Sequence, residues 1–312
     1  MQTFSLKLKS CPPTPASAGL ACAASAFLIW GLSPLYWKLI SAVPPVEIIL
    51  HRIVWSLAAL LPLVAASGRI GDLKRALTQP RTLALMGATS LLVAANWLIY
   101  IWAVNSGHVL EASLGYYINP LINVLLGVTF LGERLRPLQR RAVALAALGV
   151  AVQTIQYGRI PWISLALALS FGIYGLVRKM AAVGALVGLT VETLLLSIPS
   201  LAALFYLEAV GRGTFLHAGR PIDLLLCGSA MVTALPLLLF NLGARRLHLA
   251  TIGLLQYIAP SCMFLLAVWR YHEPVGTTRW LTFVLIWTAL ALYSADAMAA
   301  TRTSHDKAGQ SR

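Results

Sequence analysis

Four side chains suited to binding or proton-transfer chemistry lie close together in the otherwise apolar segment 46–56, VEIILHRIVWS. Glu47, His51 and Trp55 are spaced four residues apart, so they share one face of a helix, and Arg52 borders the same stripe. A guanidinium binds carboxylates through paired hydrogen bonds, and an imidazole changes its charge near neutral pH. The spacing therefore predicts a site that binds a substrate or couples to protons.

Each of the polar residues in this segment also has a structural interpretation. Glu47 directly follows Pro44-Pro45, where it can mark a helix start at the membrane interface, and His51 can be a packing residue. Arg52 lies deeper, where a charge costs at least ~2.5–3.5 kcal/mol unless it faces the bundle interior or a wet cavity. Two roles stay open for Arg52: a structural ion pair with Glu47 or another carboxylate, and hydrogen bonding to an anionic or zwitterionic substrate.

Aromatic, amide and helix-breaking residues on other predicted helices are candidates for the same site. A glycine near a proline loosens the helical hydrogen-bond ladder, so Gly31 and Pro34 predict a kink or gate. A buried asparagine needs hydrogen-bond partners, so Asn96 either joins two helices or contacts a substrate. The candidates for substrate binding or coupling are Arg52, His51, Glu47, Trp55, Trp30, Asn96, Trp97, Tyr117, Asn119, Tyr174 and Tyr257, and those for kinks or gates are Gly31, Pro34, Pro120 and Pro260.

The elements that must position these residues are membrane helices. The chain has 312 residues, of which 59% are hydrophobic and 11% are charged, whereas a soluble domain carries roughly 25% charged residues. Apolar runs of about 20 residues, the length that crosses a bilayer, recur along almost the whole sequence. The composition therefore predicts an all-α polytopic membrane protein.

The net charge of +14 does not predict a nucleic-acid partner. The Lys and Arg residues lie mainly in short gaps between apolar runs, where they set membrane orientation and face anionic lipid. The four cysteines form no CxxC pair, so we predict neither a zinc site nor a disulfide framework. We expect no metal and no cofactor. The predicted partners are a small-molecule substrate and the lipid bilayer, and the sequence makes no prediction of oligomeric state.

Ten apolar windows predict ten transmembrane helices. They lie near residues 19–40, 46–66, 82–104, 111–131, 138–156, 161–180, 186–208, 222–243, 249–271 and 277–298. With the N-terminus in the cytoplasm, 17 of the 24 Lys and Arg residues fall in cytoplasmic segments, which predicts that both termini are cytoplasmic. Residues 1–18 are predicted to be a flexible tail before an uncleaved first helix, and residues 301–312 a cytoplasmic tail.

Short segments of the first half of the chain recur in the second half in the same order. The matching pairs are IWGL at 29–32 with IYGL at 173–176, SLAAL at 56–60 with SLAAL at 200–204, YYINPL at 116–121 with QYIAPS at 256–261, and Glu133 with Glu273. We therefore predict two five-helix halves, 19–157 and 158–300. Because five is odd, the second half enters the membrane from the opposite side, and such inverted repeats are typical of alternating-access transporters.

The sequence also resembles a known family. The segments that carry the resemblance are FLIWGLSPLYWK (27–38), EIILHRIVWS (47–56), NWLIYIWAVN (96–105), LEASLGYYINPLINVLLGVTFLGE (110–133), IYGLVRK (173–179) and QYIAP (256–260). Together they are similar to the EamA-type branch of the drug/metabolite transporter superfamily, and within it to the RarD (chloramphenicol-sensitive) group. The resemblance implies ten helices, an inverted repeat, and export of small metabolites or drugs across the bacterial inner membrane.

The predicted function is that of a secondary transporter and not of an enzyme. No GxxxxGK[ST] segment occurs, which excludes ATP hydrolysis through a P-loop, so a proton gradient or the substrate's own gradient would supply the energy. Glu47, His51 and Glu192 are the residues available to carry a proton. The alternatives are an integral-membrane enzyme, for which no HExxH or GxSxG motif is present, and a non-transporting scaffold. We expect a small amphipathic substrate such as chloramphenicol or an amino-acid-like compound.

Overall fold

The computed structural model describes residues 16–309 except 107, 159 and 271–275, and every regular element in this part of the chain is helical. Glu273 and residues 1–15 of the predicted N-terminal tail lie outside the described residues. The helices are α1 (Ala16–Leu39), α2 (Pro45–Ala66), α3 (Ile70–Thr78), α4 (Pro80–Asn105), α5 (Val109–Leu131), α6 (Pro137–Tyr157), α7 (Trp162–Met180), α8 (Ala185–Ala209), α9 (Arg220–Ala244), α10 (Leu249–Leu255), α11 (Ile258–Leu265), a π-helical turn (Leu266–Arg270) and α12 (Thr277–Gly309).

Among the described residues, eight helical segments are long and apolar enough to cross a membrane. They are α1, α2, α4, α5, α7, α8, α9 and the combined segment Leu249–Arg270. Large apolar side chains on these helices face outwards, and Leu91, Phe205 and Leu224 are each at least 70% exposed. A soluble monomer does not carry apolar surface on this scale. The chain is therefore a polytopic helical membrane protein.

Helical segments lie at each of the apolar windows that the sequence analysis identified, and the differences are local. The helix α3 was not predicted, because nine residues in a charged gap give no apolar window. It buries Leu73 and Ala76 and leaves Asp72 and Arg75 exposed. Residues 16–18 belong to α1 and residues 301–309 to α12, although both were predicted to be tails.

Two of the helices approach their neighbours at glycines. A Cβ on Gly31 would lie 2.6 Å from the Cβ of Cys262, so only glycine lets α1 pack this closely on α11. A Cβ on Gly253 would lie 2.5 Å from the carbonyl oxygen of Pro120, so α10 packs directly on α5. The helix α5 runs unbroken through Pro120.

The break between α10 and α11 falls at residues 256–257. Pro260, in the first turn of α11, has no N–H to donate to the carbonyl four residues earlier, at Gln256. Of the four residues predicted to kink or gate a helix, Pro260 therefore lies beside an interruption, whereas Gly31, Pro34 and Pro120 lie inside continuous helices.

Contacts between helices run mainly from the first part of the chain to the second. The helix α1 packs against α9 and α11, α2 packs against α8 and α9, and α5 packs against α7 and α10. The helices α6 and α12 pack against each other. This arrangement leaves a cavity in the middle of the bundle, between helices from both parts of the chain.

Candidate functional site

The cavity has a volume of about 520 Å³ and is lined by helices α1, α2, α4, α5, α7, α9 and α11. Small-molecule sites typically occupy ≈ 300–1,000 Å³ and combine apolar walls with a few placed polar groups. The wall here is mostly apolar and aromatic, and the polar side chains on it are Ser33, Ser41, Arg52, Asn96, Asn119 and Gln256, together with the hydroxyls of Tyr100 and Tyr116. Among the described lining residues, Arg52 is the one that carries a charge.

The guanidinium of Arg52 is held from three sides. Its Nε donates a 2.8 Å hydrogen bond to Oγ1 of Thr233 on α9. Its central carbon lies 4.7 Å from the ring centre of Trp37 and 5.1 Å from that of Trp97, within the range of cation–π attraction. Within the part of the chain that the structure describes, no carboxylate lies at ion-pair distance from Arg52, so the pairing with Glu47 that the sequence left open is not formed.

Glu47 lies on another face of α2, where it fixes the loop that follows α8. Its Oε1 accepts hydrogen bonds from the backbone N–H groups of Thr214 at 2.7 Å and Phe215 at 3.2 Å. Its Oε2 accepts a third hydrogen bond, of 2.6 Å, from Oγ1 of Thr214. The carboxylate is 1% exposed and does not line the cavity. Glu47 therefore anchors residues 214–215 in the structure.

His51 and Trp55 face the same loop. The imidazole centre lies 4.8 Å from the ring of Phe215, and its Nε2 is 3.8 Å from Oε1 of Glu47. The indole of Trp55 lies 6.0 Å from the same phenyl ring. Neither residue lines the cavity. Of the four candidate residues Glu47, His51, Arg52 and Trp55, the structure places only Arg52 in the cavity wall.

Trp30, Asn96 and Trp97 do line the cavity. Nδ2 of Asn96 donates hydrogen bonds of 2.9 Å to the carbonyl of Leu167 and to Oγ of Ser170, so this amide also joins α4 to α7. The sequence left a choice between a helix contact and a substrate contact, and the position allows both. The indole of Trp30 contacts Phe27, Phe171 and Phe240, with ring centres 5.7–5.9 Å apart.

The two proline-bearing segments meet at the cavity wall. Asn119, Gln256 and Pro260 line it, whereas Tyr117 and Tyr257 lie behind it and are 8% and 0% exposed. Nδ2 of Asn123 donates to Oε1 of Gln256 at 2.8 Å and reaches Oδ1 of Asn119 at 3.5 Å. The amides of α5 and of the break before α11 are therefore linked.

A buried group that the sequence analysis largely missed lies among α4, α7, α8 and α9. Nε of Arg178 is 3.4 Å from Oε1 of Glu192, and the two side chains are 1% and 3% exposed. Oε1 of Glu192 also accepts a 2.6 Å hydrogen bond from Thr89, and its Oε2 accepts one of 3.3 Å from the hydroxyl of Tyr174. Oδ1 of Asn241 accepts a 3.3 Å hydrogen bond from Nε of Arg178. We call Arg178, Glu192, Tyr174, Thr89 and Asn241 the Arg178 cluster. Tyr174 was a candidate binding residue, and it belongs to this cluster and not to the cavity wall.

The cavity extends from the middle of the bundle towards one end, and the Arg178 cluster lies towards the other end. Ser41, in the turn between α1 and α2, lines the cavity. At the other end of α1, Gly19 lies beside Arg246, and Nη1 of Arg245 donates to the carbonyls of Ala181 at 2.7 Å and Val183 at 2.6 Å. The turn that follows Arg178 is therefore at the end of α1 away from Ser41.

The described residues form no metal-binding cluster. No three His, Cys, Asp or Glu side chains in that part of the chain lie close enough together to hold an ion. The buried acids there have other partners: Glu133 accepts hydrogen bonds of 2.6 and 2.9 Å from the N–H groups of Leu249 and Ala250, at the start of α10. A carboxylate at a helix N-terminus is stabilised by the helix dipole. The cavity is thus the one described site in which an unpaired charge meets an accessible volume.

Comparisons with known proteins agree with the helical membrane fold. The sequence profile of the EamA-like transporter family matches residues 17–155. Protein RarD of Salmonella typhi is 47% identical over 90% of this chain and 95% of its own length, and an uncharacterized transporter of Pseudomonas aeruginosa is 48% identical over 91% and 95%. A solved crystal structure, described only as that of a protein, shares the fold with a TM-score of 0.70 at 22% identity, over 92% of this chain and 99% of that one. The chain therefore belongs to the EamA-like transporter family, as a RarD-like, multi-pass bacterial membrane transporter.

Proposed function

We propose that the protein is a secondary transporter that exports a small amphipathic metabolite or drug by alternating access around the central cavity. The observation that carries the proposal is the cavity itself, an apolar volume of about 520 Å³ with one unpaired guanidinium, enclosed by helices from both parts of the chain. Sites of secondary transporters lie near the bilayer midplane, where two repeats meet. No catalytic activity is part of the proposal, because the described lining residues include no nucleophile paired with a general base.

Ten membrane crossings in two inverted halves, 19–157 and 158–300, are part of this proposal. The helices α6 and α12 would add two crossings to the eight apolar segments. The contacts support the repeat, since α1 packs on α9 and α11 just as α7, its counterpart, packs on α4 and α5. The helix pairs α2 with α8, α5 with α10, and α6 with α12 each join counterparts. Such pairing is expected if a pseudo-two-fold axis relates the halves.

Orientation in the bacterial inner membrane follows from charge in this proposal. Lys and Arg are enriched in cytoplasmic loops, and the end of the bundle that holds Arg69, Arg245 and Arg246 is the basic one. With this end and both termini in the cytoplasm, the cavity faces the outside and the Arg178 cluster lies between it and the cytoplasm. Alternating access would then require the cluster to rearrange during each cycle. For export, the cavity has to bind its substrate from the cytoplasm first and then open to the outside.

Uptake of chloramphenicol into inside-out membrane vesicles tests the proposal, with and without an imposed pH gradient. Chloramphenicol is chosen as the test compound because the RarD group, which the sequence resembles, is described as chloramphenicol-sensitive. Saturable uptake above vesicles that lack the protein is the expected result, and dependence on the pH gradient would identify protons as the coupling ion. Absence of uptake would remove chloramphenicol as a substrate, and amino-acid-like compounds would be tested next. If no compound showed saturable uptake, transport itself would be contradicted.

A further inference from the structure

We propose that the substrate bound in the cavity is a small monoanion: one carboxylate on an apolar body, without a free ammonium group. This inference rests on the proposed transport function and narrows it. The proposed function alone allows three classes of substrate: neutral drugs, zwitterionic amino acids and simple carboxylic acids. The charges of the described residues distinguish among these classes.

The hydrogen-bonding capacity of Arg52 is mostly unused. A guanidinium has five N–H donors, and in the described part of the chain only the Nε–H of Arg52 has an acceptor, Oγ1 of Thr233 at 2.8 Å. The four N–H groups on its two Nη atoms make no hydrogen bond to described residues. Because Trp37 and Trp97 lie 4.7 and 5.1 Å from the guanidinium carbon, the planar group is also held in position. A fixed fork with free donors fits a carboxylate through two parallel hydrogen bonds.

The other side chains around the cavity do not neutralise this charge. The described polar residues of the wall besides Arg52 are uncharged hydroxyls and amides. The buried acids on α2 and on α8, which packs against α2, are engaged elsewhere, Glu47 with Thr214 and Phe215, and Glu192 with Arg178. An unpaired charge away from water is costly. A bound monoanion would bring the charge of the filled cavity to zero.

Other charge types match the cavity less well. A zwitterion would pair its carboxylate with Arg52 but would find no carboxylate for its ammonium group among the described lining residues. The indoles of Trp37 and Trp97 already contact Arg52, so neither replaces that partner. An organic cation would be repelled, and a neutral amide would give up the charge-assisted hydrogen bonds, which are roughly twice as strong as neutral ones. The apolar body fits the wall formed by residues such as Phe27, Phe171 and Leu237.

The test compares four probes that share a phenyl ring and a short chain: 3-phenylpropanoate, 3-phenylpropanamide, phenylalanine and phenethylamine. Binding to the purified full-length protein in nanodiscs is measured at neutral pH by isothermal titration calorimetry, with empty nanodiscs as the baseline. We expect the acid to bind at least about ten-fold more tightly than each of the other three, the size of difference that one charge-assisted hydrogen bond accounts for.

Two variants assign the preference to the guanidinium. Arg52→Gln should bind the acid and the amide equally, whereas Arg52→Lys, which keeps the charge but not the fork, should retain part of the preference. If Arg52→Gln does not fold, the comparison of the four probes on the unaltered protein still decides. Equal binding of acid and amide, tighter binding of the zwitterion, or no binding of the acid by folded protein would each overturn the inference. If chloramphenicol is transported but the acid does not bind more tightly than the other probes, the inference fails and the proposed transport function stands. If the acid binds preferentially but no compound is transported, the proposed function is contradicted and the inference about binding stands.

Discussion

The hydroxyl of Tyr257 donates a 3.0 Å hydrogen bond to the backbone carbonyl of Tyr117, 140 residues earlier in the chain. The two tyrosines occupy the same place in the matched segments YYINP and QYIAP, each three residues before a proline. This bond joins α5 to the break between α10 and α11, where a gap in the helical ladder already weakens the backbone. The contact lies directly behind the amides of Asn119 and Gln256 in the cavity wall.

Tyr257→Phe should lower stability by a small, measurable amount. The change removes one buried hydrogen bond between helices, and such bonds contribute about 0.6 kcal/mol on average in membrane proteins. Thermal unfolding in one detergent would measure the loss. Tyr206→Phe is the matched control, because Tyr206 is 67% exposed on α8. Equal behaviour of the two variants would show that the bond between the counterpart tyrosines does not hold the helices together.

Breaking the Arg178–Glu192 pair should be far more costly. Removing one partner of a buried pair leaves an uncompensated charge and destabilises a protein by about 3–5 kcal/mol. We therefore expect Arg178→Met to unfold at much lower denaturant concentration, and the double variant Arg178→Met/Glu192→Gln to recover most of the loss. The exposed pair of Arg75 and Asp72 is the control, and Arg75→Met should cost at most about 1 kcal/mol. A double variant no better than Arg178→Met would contradict the pairing.

Glu47→Gln should free the loop that follows α8 without affecting binding in the cavity. The three hydrogen bonds that the carboxylate accepts from Thr214 and Phe215 would be weakened, so the amides of these residues should exchange with deuterium faster. Asp72→Asn is the control, since Asp72 is an exposed carboxylate on α3 and lies outside this loop. Loss of substrate binding in Glu47→Gln would instead assign the carboxylate a direct role, which the sequence left open.

His217 should titrate above the usual range of histidine. Its Nε2 lies 2.8 Å from Oε1 of Glu208, and this hydrogen bond, reinforced by the negative charge, raises the pKa of the imidazole. A pKa that is higher in the folded state gives a contribution to stability that is complete below the unfolded value of about 6.5 and disappears as pH rises through the folded value. NMR titration should show the pKa of His217 fall towards about 6.5 in Glu208→Gln. An unchanged value would show that the pair is absent in solution.

The positions of the helices were predictable because hydropathy is a local property of the sequence. The placement of Arg52 was predictable for a related reason, since a guanidinium this deep in a membrane helix has to avoid lipid. The pairing of Arg52 with Glu47, which the sequence left open, is not formed, because residues five apart lie about 140° apart around a helix and the structure uses the two faces separately. Contacts such as Arg178 with Glu192, or Glu133 with the start of α10, depend on which helices pack together, and no local spacing encodes them.

Blocking the cavity tests the central claim, transport through this site, most directly. Ile49 lines the cavity on α2, while Leu63 on the same helix is 43% exposed on the outer surface. Proteoliposomes with equal amounts of inserted Ile49→Trp or Leu63→Trp protein would be compared for saturable uptake of chloramphenicol and 3-phenylpropanoate. Our account predicts that Ile49→Trp loses uptake of whichever compound the unaltered protein carries, and that Leu63→Trp retains it. Equal uptake by the two variants would contradict the claim that substrates cross through the cavity.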